Sequence, residues 1–242
     1  MRRDSWSDAV GRAREGIGHS TVATTALLFF CTCGIVWGQE KAAAPAAPAP
    51  PEWIQLFNGK ALTGWKKVGG AKWTVEEGLL IGQQDNGKAG DLLTEKEYAD
   101  FDLVVSFKVM WPANSGIWFR KPEKKLGLQF DILDLKEYKV ATGSVYGSLP
   151  PPKEPEPPGA KPKPSAGFVS KNTDETMLKK DDWNEAEIIA KGPHTTVKLN
   201  GKVVGEFDDE QYTTGAIGFQ VHGGEKYRNM KILVKEAKLK AL

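Results

Sequence analysis

A carboxylate and an amide are placed to project from the same face of one short alternating segment. In residues 128–132 the apolar side chains alternate with Gln129 and Asp131, so the two polar groups are expected on one side of a strand. A carboxylate in that position has the chemistry of a general acid or base, and the alternative is a solvated strand residue. Asp134 follows at the strand end, either as a third catalytic candidate or as the residue that starts a turn.

A second acid–base candidate is a histidine near the end of the chain. His222 follows Gln220 by two residues, so both side chains are predicted on one face of a strand. An imidazole titrates near neutral pH, so His222 is able to act as acid or base, and the alternative is a structural histidine. His194, next to Pro193, is expected in a surface loop.

A third group of residues has the composition of a sugar-binding surface. Strict alternation would place Asn114, Trp118 and Arg120 on one strand face, with an aromatic ring for stacking and a guanidinium for hydrogen bonding. The alternative is an exposed edge strand. Tyr146 lies between glycines in a predicted strand, and its hydroxyl can donate a hydrogen bond to a substrate. The alternative is a tyrosine that only packs against its neighbours. With Gln129 and Gln220, these residues are the predicted substrate-binding set.

The elements that must position these groups are short β-strands. Period-two alternation or turn chemistry predicts strands over several segments, namely 73–81 as a hairpin, 101–109, 128–132, 195–199, 202–204, 215–221 and 229–239. Asn200 and Gly201 supply the positive φ angles of a tight hairpin between two of them. No amphipathic helix longer than a turn or two is evident. Many short strands separated by turns predict an all-β sandwich.

Composition and motifs exclude several classes of function. The 242 residues contain 33 Lys and Arg against 31 Asp and Glu, a formal net charge of only +2. A polybasic nucleic-acid binder is therefore disfavoured. The sequence has no nucleophile elbow, phosphate loop or zinc-spaced His and Cys cluster. It requires no cofactor, although a divalent cation and direct hydrolysis by two carboxylates both stay open.

The N-terminal region and one internal segment of the predicted domain have unusual composition. Four arginines precede the charge-free segment 21–38, a pattern typical of a signal peptide over 1–40, with an uncleaved membrane anchor as the alternative. Both cysteines lie in that segment, so the exported chain would have no thiol chemistry. A Pro/Ala-rich linker is predicted at 41–51 and the folded domain at 52–242. Within it, a proline-rich loop at 149–164 is expected to be solvated or to act as a rim.

An ordered set of short motifs runs through the predicted domain. In chain order these are IQLFNGKALTGW at 54–65, WTVEEG at 73–78, NSGIWFR at 114–120, GLQFDILD at 127–134, TGSVYG at 142–147, DWN at 182–184, LNG at 199–201, GAIGFQVHG at 215–223 and YRNMKI at 227–232. In this order the chain resembles the 3-keto-disaccharide hydrolase family, also described as 3-keto-glucoside 1,2-lyases and 3-keto-2-hydroxy-glucal hydratases. The resemblance implies a concanavalin A-like jelly-roll sandwich.

The resemblance also implies a reaction on sugars already oxidised at C3. A C3 ketone acidifies the C2 proton, so a base can remove it and expel the oxygen at C1, after which water adds back. Such a site needs a base near C2, an acid near the leaving oxygen and donors to the ketone. Asp131 and His222 are the best acid–base candidates, with Asp134 as the third.

This sequence departs from the family pattern at one strand. Family members commonly carry Glu-x-Gln-x-x-Asp where this chain has Gln129, Asp131 and Asp134. The amide and the carboxylate are therefore exchanged between positions about 7 Å apart along one strand face. We expect an exported enzyme that cleaves 3-keto-glycosides, acts on a small-molecule carbohydrate and has no stable membrane span in the mature chain. A non-catalytic carbohydrate-binding domain on the same scaffold is the alternative.

Overall fold

The protein is described by a computed structural model over residues 52–149 and 165–242. The predicted signal peptide, the linker and residues 150–164 of the proline-rich loop lie outside this part of the chain. Within 52–149 and 165–242, two antiparallel sheets of eight and seven strands account for most of the regular structure. The predicted all-β jelly-roll sandwich is confirmed.

The first sheet is ordered around the long final strand. Its order is β13 (Lys202–Asp208), β12 (His194–Leu199), β11 (Asn184–Lys191), β6 (Phe101–Val109), β15 (Lys231–Ala241), β4 (Leu79–Gln83) and β3 (Lys72–Glu76), with β1 (Ile54–Phe57) paired to β15. This sheet supplies one wall of the core and none of the predicted site residues.

The second sheet holds every strand on which a site residue was predicted. Its order is β10 (Ala166–Ser170), β9 (Val145–Ser148), β8 (Leu128–Leu133), β7 (Asn114–Lys121), β14 (Gly215–Val221), β5 (Gly90–Tyr98) and β2 (Trp65–Gly69). One helical turn, α1 (Leu135–Tyr138), follows β8, and two 3-10 turns span Glu175–Met177 and Glu225–Tyr227. No helix within the described ranges is long and apolar enough to cross a membrane.

The core lies between the facing sheets and follows from the alternation in the sequence. Strand β6 has the predicted bounds, and its odd-numbered side chains, from Phe101 to Val109, are buried while the intervening ones are partly exposed. Phe107 meets Phe130 of the opposite sheet edge to face, with ring centroids 6.4 Å apart. Burying each such ring contributes roughly 1.5–3 kcal/mol, which fixes the inner face of β8 and turns its polar residues outward.

Two hairpins have the predicted turns. Asn200 and Gly201 take φ angles of 51° and 79° between β12 and β13, and Glu77 and Gly78 take 52° and 81° between β3 and β4. Positive φ at both central positions matches the twist of the strands that the turn joins. The last strand begins at Lys231, two residues later than predicted, because the preceding 3-10 turn continues until the Met230 amide donates to the Tyr227 carbonyl.

Candidate functional site

A groove of about 340 Å³ lies on the outward face of the second sheet. Its lining combines polar and aromatic side chains, namely Asn114, Trp118, Leu126, Gln129, Asp131, Leu133, Tyr138, Tyr146, Phe168, Gln220 and His222. The structure thus brings seven of the nine predicted site residues into one cavity. Arg120 and Asp134 do not line it.

Strand register explains why residues distant in sequence meet here. Asp131 pairs with Gly116 across β8 and β7, and Gly116 pairs with Gln220 across β7 and β14. One step along the strands, Gln129 lies between Trp118 and Tyr146. Side chains of directly paired residues project to the same face, so the polar groups form two adjacent rows on one surface.

Asp131 is a buried carboxyl group at the floor of the groove. The residue is only 6% exposed, and burial raises the pKa of its carboxyl well above the usual range. Burial disfavours the charged form, and no described residue contributes a hydrogen bond or a charge that would oppose this effect. Asp131 is therefore suited to hold a proton and to donate it to a bound molecule.

Gln129 presents an unpaired amide beside this carboxyl group. It is 5% exposed, and among the described residues its buried Nε2 atom has no hydrogen-bond partner. Its side chain lies over Gly116, where an added Cβ would come within 2.6 Å of it. A buried amide hydrogen without a partner costs about 1–3 kcal/mol, and an oxygen of a ligand in the groove would remove that cost.

His222 follows directly after β14, lines the groove and is exposed. Its Nδ1 atom lies 2.8 Å from the Gly223 carbonyl oxygen, which can only accept, so Nδ1 carries a hydrogen, and in the neutral ring Nε2 presents a lone pair. The Gln84 amide fixes this loop by donating at 2.9 Å to the carbonyl oxygens of His222 and Gly224. The ring also meets the Tyr227 ring edge to face, 5.5 Å between centroids.

Trp118 and Tyr146 provide the aromatic surface of the groove. The Trp118 indole donates from Nε1 to Asp91 Oδ1 at 3.0 Å, which fixes the plane of the ring. Tyr146 packs edge to face against Phe168 of the neighbouring strand, 5.4 Å between centroids. Rings held in fixed planes beside polar groups are suited to stack on the apolar face of a sugar.

Arg120 contradicts the predicted alternation of β7. Between Trp118 and Lys121 two residues oppose the single residue Ile217 of β14, and Arg120 has a φ of 44°. This bulge turns its side chain away from the groove, and the guanidinium donates to carbonyl oxygens of Ala99, Gly192 and Tyr212 and to the Asp100 carboxylate. With 0% of its surface exposed, Arg120 holds the fold together and is not available as a sugar ligand.

Asp134 caps the helical turn α1. Its Oδ1 atom accepts from the Lys136 amide at 2.9 Å, and the residue lines a separate cavity of about 230 Å³. The geometry is that of the turn-starting alternative. The predicted catalytic position for Asp134 is therefore wrong with respect to this groove.

The sequence prediction missed Tyr138, which closes one end of the groove. Its hydroxyl accepts from Asn114 Nδ2 at 2.7 Å. The available signal was Asp134 itself, because an N-cap aspartate predicts one helical turn that ends four residues later at Tyr138. Leu126, Leu133 and Phe168 were also missed, since apolar groove residues have no chemical signature.

Comparison with known proteins identifies the family. The model of the 3-keto-alpha-glucoside-1,2-lyase-like domain matches residues 52–233. The chain belongs to this family. A segment of 81 residues is 32% identical to the 3-keto-disaccharide hydrolase of Bacteroides thetaiotaomicron, and covers 29% of this chain and 28% of that enzyme.

Solved structures that resemble this lyase-like domain share its fold. A Parabacteroides distasonis protein assigned as a glycosyl hydrolase is 23% identical with a TM-score of 0.58, covering 79% of this chain and 100% of its own. The carbohydrate binding module CBM66 from Bacillus subtilis is 15% identical with a TM-score of 0.52, covering 74% and 96%. At these identities the likeness concerns the fold alone, and the fold is common to a protein assigned as a hydrolase and to a carbohydrate binding module.

Within this family member, the exchanged amide and carboxylate both reach the groove. Gln129 and Asp131 line the same cavity, so a carboxyl group is retained at the site one pleat along β8. Among the described residues, no group of three or more His, Cys, Asp or Glu side chains is arranged to hold a metal ion. The sequence left open whether the protein binds a divalent cation, and the described part of the chain contains no cluster of side chains that could hold one.

Proposed function

We propose that the chain is an exported enzyme that cleaves 3-keto-glycosides by elimination across C1 and C2 followed by hydration. Membership of the 3-keto-alpha-glucoside-1,2-lyase-like family supports the substrate class. The observation on which the proposal chiefly rests is the buried Asp131 carboxyl, whose pKa is raised by burial, next to the Gln129 amide, which has no partner among the described residues. The basic residues that precede segment 21–38 support export.

In the elimination step, His222 would act as the base and Asp131 as the acid. The exposed Nε2 lone pair of His222 would remove the C2 proton while the C1–C2 double bond forms and the C1–O bond breaks. Asp131 would give its proton to the departing glycosidic oxygen, and Gln129 Nε2 would donate to the ketone oxygen, where negative charge develops.

Hydration would return Asp131 and His222 to the protonation states in which they began. Water adds at C1 and returns a proton to the Asp131 carboxylate, and the His222 imidazolium gives a proton back to C2. Because His222 is exposed, its proton exchanges with solvent between the two steps. The proton that reaches C2 would therefore come from the solvent as well as from the substrate.

Proton NMR in deuterated water tests this reaction. The purified chain is incubated with a 3-keto-glucoside or 3-keto-trehalose, and the expected product is 3-keto-glucose with deuterium at C2. Asp131→Asn should abolish turnover, lowering it by at least about 100-fold, and leave sugar binding intact. Turnover of Asp131→Asn at the wild-type rate would remove Asp131 from the mechanism.

A non-catalytic carbohydrate-binding domain is the second candidate function. The observation that favours it is Gln129, which stands where family members commonly carry a glutamate. This alternative predicts that the wild-type chain binds 3-keto-glucosides and unoxidised glucosides without converting them, and that Asp131→Asn changes neither property. Binding and turnover measured on the same sugars separate the two functions.

A further inference from the structure

A chain of hydrogen bonds leads from the groove to the protein surface through Tyr138. The hydroxyl of Tyr138 is bonded to the hydroxyl of Tyr227, which donates to Glu137 Oε1 at 2.9 Å. Glu137 in turn forms an ion pair with Lys226. All four residues belong to two turns, α1 and the 3-10 turn Glu225–Tyr227, and Tyr138 of α1 lines the groove.

The outer end of this chain directs its hydrogens away from the groove. The bonds from Lys226, Tyr227 and Tyr138 lower the pKa of the Glu137 carboxyl, which favours the carboxylate, and a carboxylate can only accept. Tyr227 therefore donates its single hydroxyl hydrogen to Glu137. Burial raises the pKa of the Tyr227 phenol, so the phenol keeps that hydrogen. The hydrogen between the two phenols consequently comes from Tyr138.

As a consequence, the Tyr138 hydroxyl oxygen can only accept a hydrogen bond from a molecule bound in the groove. The Tyr138 hydrogen is directed to the oxygens of Tyr227 and Glu137, and one lone pair of the Tyr138 oxygen is occupied by Asn114 Nδ2 at 2.7 Å. One lone pair is left for a bound molecule. At the other end of the groove the polarity is reversed, because Gln129 Nε2 is a donor that has no partner within the described part of the chain.

We infer that Tyr138 is a specificity-determining residue that accepts a hydrogen bond from a sugar hydroxyl, and that Tyr227 and Glu137 fix this polarity. The inference rests on the proposed function, which it refines by orienting the substrate. The ketone lies at the Gln129 donor, and a free hydroxyl away from the ketone lies at the Tyr138 acceptor. The preferred ligand is a 3-keto-sugar that keeps this hydroxyl, and a sugar that offers only an acceptor there is rejected.

Binding of ligands that cannot react tests the inference separately from catalysis. The parent probe is 1,5-anhydroglucitol oxidised at C3, which has no leaving group at C1, and the analogues replace its C4 or C6 hydroxyl with fluorine. Titration calorimetry on wild type should show one analogue binding about tenfold more weakly than the parent, because fluorine cannot donate to Tyr138. Tyr138→Phe should weaken the parent by a similar factor and abolish the difference between the ligands.

Tyr227→Phe combined with Glu137→Ala gives a result that a purely structural role cannot produce. The double variant removes both oxygens to which the Tyr138 hydrogen is directed and lets that hydrogen rotate into the groove, so the fluorinated analogue should recover affinity relative to the parent. Tyr98→Phe removes a phenol hydroxyl that lies outside the groove and should keep the wild-type pattern. Thermal melts and circular dichroism identify any variant that fails to fold.

Several outcomes would overturn the inference. These are equal binding of the parent and both analogues to wild type, no binding of the parent, or an unchanged difference between the ligands in a folded variant that carries both Tyr227→Phe and Glu137→Ala. If the expected pattern appears and 3-keto-glucosides are not turned over, the proposed reaction fails while the recognition role of Tyr138 stands.

Discussion

Replacing Asp131 with asparagine is expected to stabilise the protein increasingly as the pH rises. Burial raises the pKa of the Asp131 carboxyl well above its ordinary value of 3.8. Over the range between these two pKa values the native chain keeps a proton that the unfolded chain has lost. Stability falls with pH wherever the native state binds more protons, so wild type loses stability as the pH rises from about 4 through the raised pKa.

The size of the effect follows from the same linkage. Each unit by which the folded-state pKa exceeds the unfolded value removes about 1.4 kcal/mol from the free energy of unfolding at high pH. Asparagine has nearly the shape of the protonated carboxyl group and does not ionise. The difference in stability between Asp131→Asn and wild type should therefore grow in favour of the variant as the pH rises from about 4 through the raised pKa of Asp131.

Urea unfolding of both proteins at several pH values measures this difference directly. Asp181→Asn is a matched control, because Asp181 is exposed in a turn with a φ of 66°, a conformation that asparagine also tolerates. It should show no comparable dependence on pH. A difference for Asp131→Asn that is constant with pH, or that falls as pH rises, would refute the buried-carboxyl explanation.

Three further substitutions have expected outcomes. Gly116→Ala places a methyl group 2.6 Å from the Gln129 side chain, which can swing into the groove, so sugar affinity should fall about tenfold in calorimetry while thermal stability changes little. Gln84→Ala removes the two 2.9 Å bonds that hold the His222 loop, and kcat should fall more than KM changes, with sharper His222 ring signals in NMR as the loop gains motion. Arg120→Ala leaves several buried carbonyl groups unpaired and should cost about 3–5 kcal/mol in urea unfolding, and a loss below about 1 kcal/mol would contradict its structural role.

The strands could be predicted from sequence because alternation and turn chemistry act locally. Strands 101–109 and 215–221 have the predicted bounds, and the Asn200 and Gly201 turn is where its φ requirement placed it. The same alternation brought Gln129 and Asp131 to one face of β8, and strand pairing added His222. The roles of these residues in catalysis stay predictions.

What sequence reasoning missed depends on contacts between distant segments. The bond between Tyr138 and Tyr227 joins residues 89 apart in sequence, and it exists because two turns meet at one end of the sheet. The bulge at Arg120 is a shift in the pairing of β7 with β14, which the sequence of β7 alone does not encode. Periodicity describes one strand at a time and therefore gives neither result.

The position of Arg120 changes how variation among relatives should be interpreted. Its side chain connects the main chain at Ala99, Gly192 and Tyr212, three segments that meet without sharing a sheet ladder at that point. Selection for folding alone would keep an arginine there in catalytic and non-catalytic descendants alike. An invariant arginine at this position of β7 would then indicate a shared scaffold and not a shared activity. Divergence at Gln129, Asp131 and Tyr138 would instead indicate a change in the sugar that is recognised.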